Sequence, residues 1–259
     1  MANRRLKSKM LKTRLMLKSP KLAGHIPLTL WLTTKRLYGM LEDFGMVYVK
    51  PDGGSQGKGV IRVEKSGSRY RYQKGTRIHT FSSFKTMHRS LRRQVGHTPY
   101  VVQRGIHMLR HKGRPFDFRV MVQRNPRRRW ECTGTLARVA HPRKAVTNGS
   151  QGGSIYEPLR LISQFTDKGH AASILREMDH LGYLAASRIA RRFPRRNELG
   201  VDIALDENLK PWILESNTIP DPCPFTLLPS SRAIRKIVAY GRAYGKKYRL
   251  RCKKAKRGR

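Results

Sequence analysis

Acidic residues are scarce in this sequence. Sixteen Asp and Glu stand against 56 Lys and Arg in 259 residues, a formal charge of +40. So few carboxylates confine any metal site to a short set of ligands. Cysteine is scarcer still: Cys132, Cys223 and Cys252 are isolated, with no CxxC pair and an odd count. That excludes a disulfide-built scaffold and predicts reduced thiols in a cytoplasmic protein. No stretch approaches the roughly 20 apolar residues of a membrane-spanning helix. The basic start, residues 1–20, lacks the continuous apolar run of a secretory leader. The nine histidines form no HExxH-like set, and no GxSxG or Cys–His spacing favours a nucleophilic hydrolase.

What is present is uneven. Residues 1–41 hold ten Lys/Arg and residues 222–259 hold thirteen, neither with an acid, so the two ends supply +23 of the charge. Such a field attracts polyanions, among them nucleic acid, anionic polymers and nucleotides. The ends also read as solvated tails, residues 250–259 above all. Apolar residues make up 38% and recur in periodic blocks through the middle. The length suits one large domain or two small ones.

Residues 4–18 have the pattern of a basic amphipathic helix, with Leu6, Met10, Leu15 and Leu17 on its apolar side. Residues 25–41 read as an extended piece and then a short helix. Strand patterns follow at 46–50, 60–65, 69–73 and 76–81, separated by glycine-containing turns. Helical spacing covers 83–95. Strands resume at 100–103, 117–123 and 130–140, the last two as a hairpin. A long helix over 168–193 carries an apolar face through Ile174, Met178, Leu181, Ala185 and Ile189. Residues 200–207 and 211–217 form a hairpin across Asn208-Leu209-Lys210, and 230–248 a final helix. No regular βαβ alternation appears; the pattern is α+β.

Four motifs carry chemistry. VKPDGGSQGKGV (49–60) places Lys50 at a strand end, then Gly53, Gly54, Ser55, Gln56, Gly57 and Gly59, then a second strand at once. Glycines let backbone N–H groups turn toward an anion, and Lys50 adds a point charge for phosphate. The loop is neither a Walker A nor a Rossmann fingerprint. It also reads as a plain hairpin with a polar loop. In GVDIALDE and WILESN, Glu215 and Asn217 share a strand face, and the hairpin brings Asp202 within reach. Two carboxylates and an amide oxygen are hard ligands suited to Mg²⁺ shared with phosphate. Salt bridges would explain the same acids. In RPFDFRV, Asp117 and Arg119 share one strand face, and Arg138 sits across the hairpin; guanidinium forks bind phosphoryl and carboxylate oxygens. An Asp117–Arg119 surface pair is the alternative. TNGSQGGS (147–154) puts Asn148 beside a glycine turn.

Taken in order, VYVKPDGGSQGKGVIRVE, YVVQRGI, RPFDFRVMVQ, LARVA, TNGSQGG, VDIALDE and WILESN resemble an ATP-grasp protein, specifically the YheC/YheD type described as coat-associated in endospore-forming bacteria. LAGHIPLT upstream fits the same type. The resemblance spans about 20–220. It implies two α+β subdomains clamping ATP: a basic N-terminal segment (1–45), a small subdomain with the glycine loop (46–105), a large subdomain with the Mg²⁺ site (106–248) and a basic tail (249–259). By the resemblance, Lys50 and Gly53 to Gly59 hold the phosphates, and Gln103 to Ile106 meets adenine. Arg119 faces the transferred phosphoryl or the acyl phosphate, and Arg138 and Asn148 line the acceptor side, with Asn148 also placed near the metal as an alternative. Asp202, Glu215 and Asn217 hold Mg²⁺. The implied reaction is carboxylate–amine ligation through an acyl phosphate, with the carboxylate and the amine both unidentified, in a cytoplasmic or spore-associated protein.

Three features depart from the family pattern. Arg104 stands where an acidic residue often meets the ribose. About 45 residues precede Lys50, so the N-terminal pre-clamp domain is expected to be missing or reduced. ESNTIPDPCP replaces a plainer ending. Two other readings stand beside ligation. One is nucleotide binding without turnover. The other is polyanion binding through the basic termini, with Tyr240, Tyr244 and Tyr248 interleaved with Arg242, Lys246 and Lys247; a helix packing its tyrosines on the core has the same spacing.

Overall fold

The computed structural model describes residues 7–54, 57–142, 153–252 and 255–258. It contains two sheets. The first is antiparallel, in the order β1-β6-β2-β3-β4-β5, built from β1 (Thr29–Trp31), β2 (Met46–Pro51), β3 (Ile61–Ser66), β4 (Arg69–Lys74), β5 (Arg77–Phe81) and β6 (Tyr100–Arg104). One face of it is covered by α3 (Thr34–Phe44) and α4 (Phe84–Val95). Leu37, Leu41, Met87 and Leu91 of those helices close on Val47, Val49, Ile61, Val63 and Tyr72. The strand period of two leaves Tyr48, Lys50, Arg62 and Gln103 on the opposite face. Each helix begins at a side-chain cap, as its sequence suggests: Thr33 accepts from the Arg36 N–H and Ser83 from the Thr86 N–H.

The second sheet runs β12-β11-β8-β9-β10-β13, with β7 (Arg110–His111) paired to β8. Its strands are β8 (Arg114–Arg124), β9 (Trp130–Val139), β10 (Ser154–Tyr156), β11 (Glu198–Leu205), β12 (Pro211–Asn217) and β13 (Lys256–Arg257). The helix α6 (Lys168–Arg192) covers one face. Ile174, Met178, Leu181, Ala185 and Ile189 close on Phe116, Phe118, Val120, Val122 and Val201. On the other face, the 3₁₀ turn Cys223–Leu227 and α7 (Arg232–Ala243) cover Met121 and Leu136, while the end bearing Asp117, Arg119, Arg138 and Asp202 looks toward the first sheet. The β11–β12 hairpin is fixed by Asp206, whose Oδ1 accepts from the Asn208 and Lys210 N–H groups at 3.0 Å each.

The N-terminal helix is α1 (Lys9–Leu17), followed by a single turn α2 (Pro20–Ala23). Its buried face differs from the expected one: Met10, Lys12, Thr13 and Met16 are buried, and Leu17 is exposed. The short elements β7, β10, β13 and α5 (Pro158–Ile162) have no counterpart in the sequence pattern.

Three further expectations are corrected. Cys223 and Cys252 are joined as a disulfide, with Cα atoms 5.6 Å apart across 29 residues, and Cys132 is the free thiol. Spacing alone does not show that the C-terminal segment folds back onto the 3₁₀ turn. That segment, expected as a tail, is tied down where it is described: β13 pairs parallel with β10, and Arg257 donates to the carbonyls of Leu227 and Leu228. The final helix ends at Ala243, and Gly245 (φ +77°) turns the chain. The tyrosine stripe is turned inward. Tyr240 donates to Glu131 at 2.7 Å, and Tyr244 and Tyr248 donate to the buried Glu198 at 3.1 and 2.6 Å. These hydroxyls dock the C-terminus instead of forming a stacking platform for bases.

Candidate active site

A cavity lies between the two sheets. Its wall combines Lys50 from β2 and Gln103 from β6, Gly54 and Gly57 from the turn after β2, Ile106 from the segment after β6, and Asp117, Arg138, Asp202 and Glu215 from the second sheet. These residues come from segments up to 165 positions apart, and the sheets bring them together. Gly53 and Gly59 belong to the same turn but not to the cavity wall. Gly59 holds φ +75°, where any Cβ would also press on the Tyr100 hydroxyl at 3.1 Å. Ser55, Gln56 and Asn148 lie outside the described residues.

Lys50 sits beside Gln103, because β2 and β6 are paired neighbours. Its ammonium donates to Gln103 Oε1 at 2.5 Å. The Gln103 amide in turn donates to Thr29 Oγ1 at 3.0 Å and the Leu214 carbonyl at 3.4 Å. Burial lowers the Lys50 pKa to about 8, against the pull of the Glu215 carboxylate.

Four charges form a buried array. The β8–β9 register places Asp117 opposite Arg138, and the β8–β11 register places Arg119 opposite Asp202. Arg138 grips Asp117 with two bonds of 2.8 and 2.6 Å and lies 3.1 Å from Asp202. Arg119 grips Asp202 at 2.5 and 3.2 Å. The Asp117–Arg119 pair considered from the sequence is therefore not the pairing that forms, and Arg119 stands behind Asp202 instead of on the cavity wall. Burial alone would raise the Asp202 pKa; the Arg119 and Arg138 guanidiniums override it and hold it at about 2. Burial would likewise lower that of Arg138, but Asp117 and Asp202 keep it firmly charged.

Asp202 and Glu215 are register partners on β11 and β12, with an irregularity just beyond Asp202. The Asn217 amide reaches Asp202 Oδ2 at 3.4 Å and Glu215 Oε1 at 3.3 Å. The three predicted ligand residues thus lie together, with the Asn217 nitrogen turned to the acids; its oxygen would face a cation only after the amide turns over. Among the described residues no set of three His, Cys, Asp or Glu side chains comes together. A hard cation here would have two carboxylates and the Asn217 oxygen, and would complete its shell with water or phosphate oxygens. That donor set fits Mg²⁺ shared with a nucleotide.

Sequence reasoning missed the contribution of α1. Lys9 lines the same cavity, and its ammonium donates to the carbonyls of Pro51 (3.1 Å) and Gly54 (2.7 Å). The Met10 N–H donates to Asp52 Oδ1 at 2.8 Å, so the helix start is docked on the turn. Lys12, 6% exposed, donates to the Ser216 carbonyl at 2.5 Å. Burial lowers its pKa to about 8, opposed first by Glu215. Tyr48, Met108 and Leu214 were missed as well; they supply ring and apolar surface to the wall. For Lys9 the available signal was a helix-start lysine following the capping Ser8 in a segment whose apolar residues are too few to close its own face.

Comparison with known proteins gives the chain its family. The family model described as YheC/D-like ATP-grasp matches residues 1–247. The endospore coat-associated protein YheD of Bacillus subtilis is 23% identical over 215 residues, covering 80% of this chain and 47% of YheD. YheC of the same organism is 26% identical over 204 residues, covering 76% of this chain and 55% of YheC. The chain thus spans about half the length of these relatives. Among solved structures, N5-carboxyaminoimidazole synthase from Aspergillus clavatus, in complex with ADP and 5-aminoimidazole ribonucleotide, superimposes with a TM-score of 0.52 at 13% identity, over 84% of this chain and 45% of that one. An ATP complex of the carboxyaminoimidazole ribonucleotide synthase from the same organism gives 0.52 and 13%, over 83% and 45%. These structures share the fold; with the family match, the glycine turn and the convergent acids, the chain belongs to the YheC/D-like ATP-grasp family.

Proposed function

We propose that the protein is an ATP- and Mg²⁺-dependent ligase that activates a carboxylate as an acyl phosphate and passes it to an amine. The observation that carries this reading is the convergence, in one cavity, of Lys9 and Lys50, a glycine turn, the Arg138 fork and the carboxylates of Asp202 and Glu215. Lys9 and Lys50 neutralise the nucleotide phosphates from two sides. The N–H groups of the glycine turn cover them. The Gln103–Ile106 segment presents backbone to adenine, with Leu214 and Met108 as apolar walls. Asp202, Glu215 and Asn217 would hold Mg²⁺, which supplies charge neutralisation on the phosphates. Arg138, braced by Asp117, orients the acceptor carboxylate for in-line attack on the terminal phosphorus, and Arg119 keeps Asp202 ionised and aligned. The carboxylate oxygen forms the new P–O bond, ADP leaves, and the amine then displaces phosphate from the acyl carbon.

The test begins with nucleotide binding. Glu215→Gln and Lys50→Ala should each weaken Mg²⁺-dependent ATP affinity tenfold or more, on the order of 1.4 kcal/mol. Unchanged affinity in both removes the site assignment. Turnover is read as ADP release with pooled amino acids or cell-wall precursors.

One observation favours a second reading, nucleotide binding without turnover: both oxygens of Asp202 are already engaged by arginine. ADP at background across the panel, with ATP still bound, would select it. Association with the endospore coat, which the names of both relatives carry, is part of the proposal. Recovery of the protein in the coat fraction of spores would support it, and its confinement to the soluble fraction would count against it.

A further inference from the structure

A second cavity, about 650 Å³, opens beside the first and shares Tyr48, Ile106 and Met108 with it. That volume is within the range of small-molecule sites, roughly 300–1,000 Å³. We infer that it holds the anchoring end of the ligase's second substrate, a carboxylate-bearing molecule with an aromatic or branched apolar body. The inference rests on the nucleotide reading of the first cavity for its role, but on its own lining for its chemistry.

Two guanidiniums line it, Arg62 on β3 and Arg110 on β7, and both act electrostatically on Tyr48, which lines it too. Arg62 shares Glu64 with Arg71, so that trio keeps a net positive charge, and Glu207 is an acid on the lining beside the two arginines. Arg110 donates to the Gly113 carbonyl of its own turn at 2.7 Å. Two guanidinium forks on one lining suit a carboxylate. The apolar part of the lining is unusual for a solvent-facing sheet. Ile78 is 59% exposed and Phe165 37% exposed, and both line the cavity from different parts of the fold, β5 and the turn before α6. Exposed large apolar side chains beside arginines make an amphiphilic pocket, not a bare phosphate site. Because Tyr48 and Met108 line both cavities, a ligand anchored here extends its other end toward the phosphates.

The probe is a panel of N-acetyl amino acids and their amides, titrated calorimetrically into full-length protein with and without AMP-PNP and Mg²⁺. An aromatic or branched acid should bind about tenfold or more tightly than its amide. Arg110→Gln should abolish that preference while leaving AMP-PNP affinity within about twofold, and Ile78→Asp should remove the selection for apolar bodies. Acids and amides binding alike, no member of the panel binding, or a preference that survives Arg110→Gln would each overturn the inference. Failure of AMP-PNP to bind the unaltered protein would instead remove the nucleotide reading, since the acid arm is also read without nucleotide.

Discussion

The ammonium of Lys9 rests on the carbonyl of Gly54 at 2.7 Å, so the first helix of the described chain holds the glycine turn from outside the sheet that bears it. The Gly54 N–H donates within the turn, to the Pro51 carbonyl at 3.3 Å, so Lys9 and this bond together fix the turn's backbone.

Replacing that lysine tests its double duty. Lys9→Met keeps most of the side-chain length but removes the charge. We expect ATP affinity to fall about tenfold and adenosine affinity to change little. Competition binding with both ligands measures the difference. Equal losses for both would assign Lys9 to packing alone.

Nucleotide binding should also depend on pH in the alkaline range. Lys50 and Lys12 both have pKa values lowered to about 8. Phosphate beside Lys50 favours its charged form, so above pH 8 binding must take up a proton and affinity should fall as pH rises. Below about pH 7 this dependence disappears. Folding has the opposite sign. Between about 8 and the ordinary 10.5 the unfolded lysines hold more protons than the folded ones, so stability should rise with pH across that window. Calorimetry in buffers of different ionisation enthalpy reads the proton uptake, and denaturant melts read the stability.

The buried array predicts an asymmetric response to mutation. Arg138→Met leaves Asp117 buried without its fork, and loss of one partner of a buried pair costs about 3–5 kcal/mol. The double change Arg138→Met with Asp117→Asn should recover a large part of that loss, since no buried charge is stranded. Urea melts of the two variants decide it; equal destabilisation would mean that the pair is not electrostatically linked.

Reduction should loosen the C-terminus. The Cys223–Cys252 bond closes a loop of 29 residues, which in the chain-entropy account is worth about 3.6 kcal/mol. Dithiothreitol, or Cys252→Ser, should lower the melting temperature. An unchanged melt would show that the tyrosine–Glu198 contacts and β13 carry the docking alone.

Much of this architecture was legible in the sequence because it rests on local pattern. The period of two in β2, β3 and β4, cut by glycine turns, marks the first sheet, and Asp206-Glu207-Asn208-Leu209-Lys210 marks the hairpin that aligns Asp202 with Glu215. Pairing across strands was less legible. A rule of shared faces joins Asp117 to Arg119, whereas the registers of β8 with β9 and β11 give each acid a different arginine. Strands of two or three residues such as β10 and β13 have no pattern of their own; they exist because a neighbour offers an edge. Lys9 and Lys12 escaped because a basic helix is read by its apolar residues, and here two of its cations point inward.

The helix α1 touches both halves of the cleft at its phosphate end, through Lys9 on the glycine turn and Lys12 on the Ser216 carbonyl. Spreading the sheets there breaks one of these holds; spreading them at the Arg62–Arg110 end breaks neither. The molecule is therefore built like a jaw whose two halves are tied at one end by a single helix.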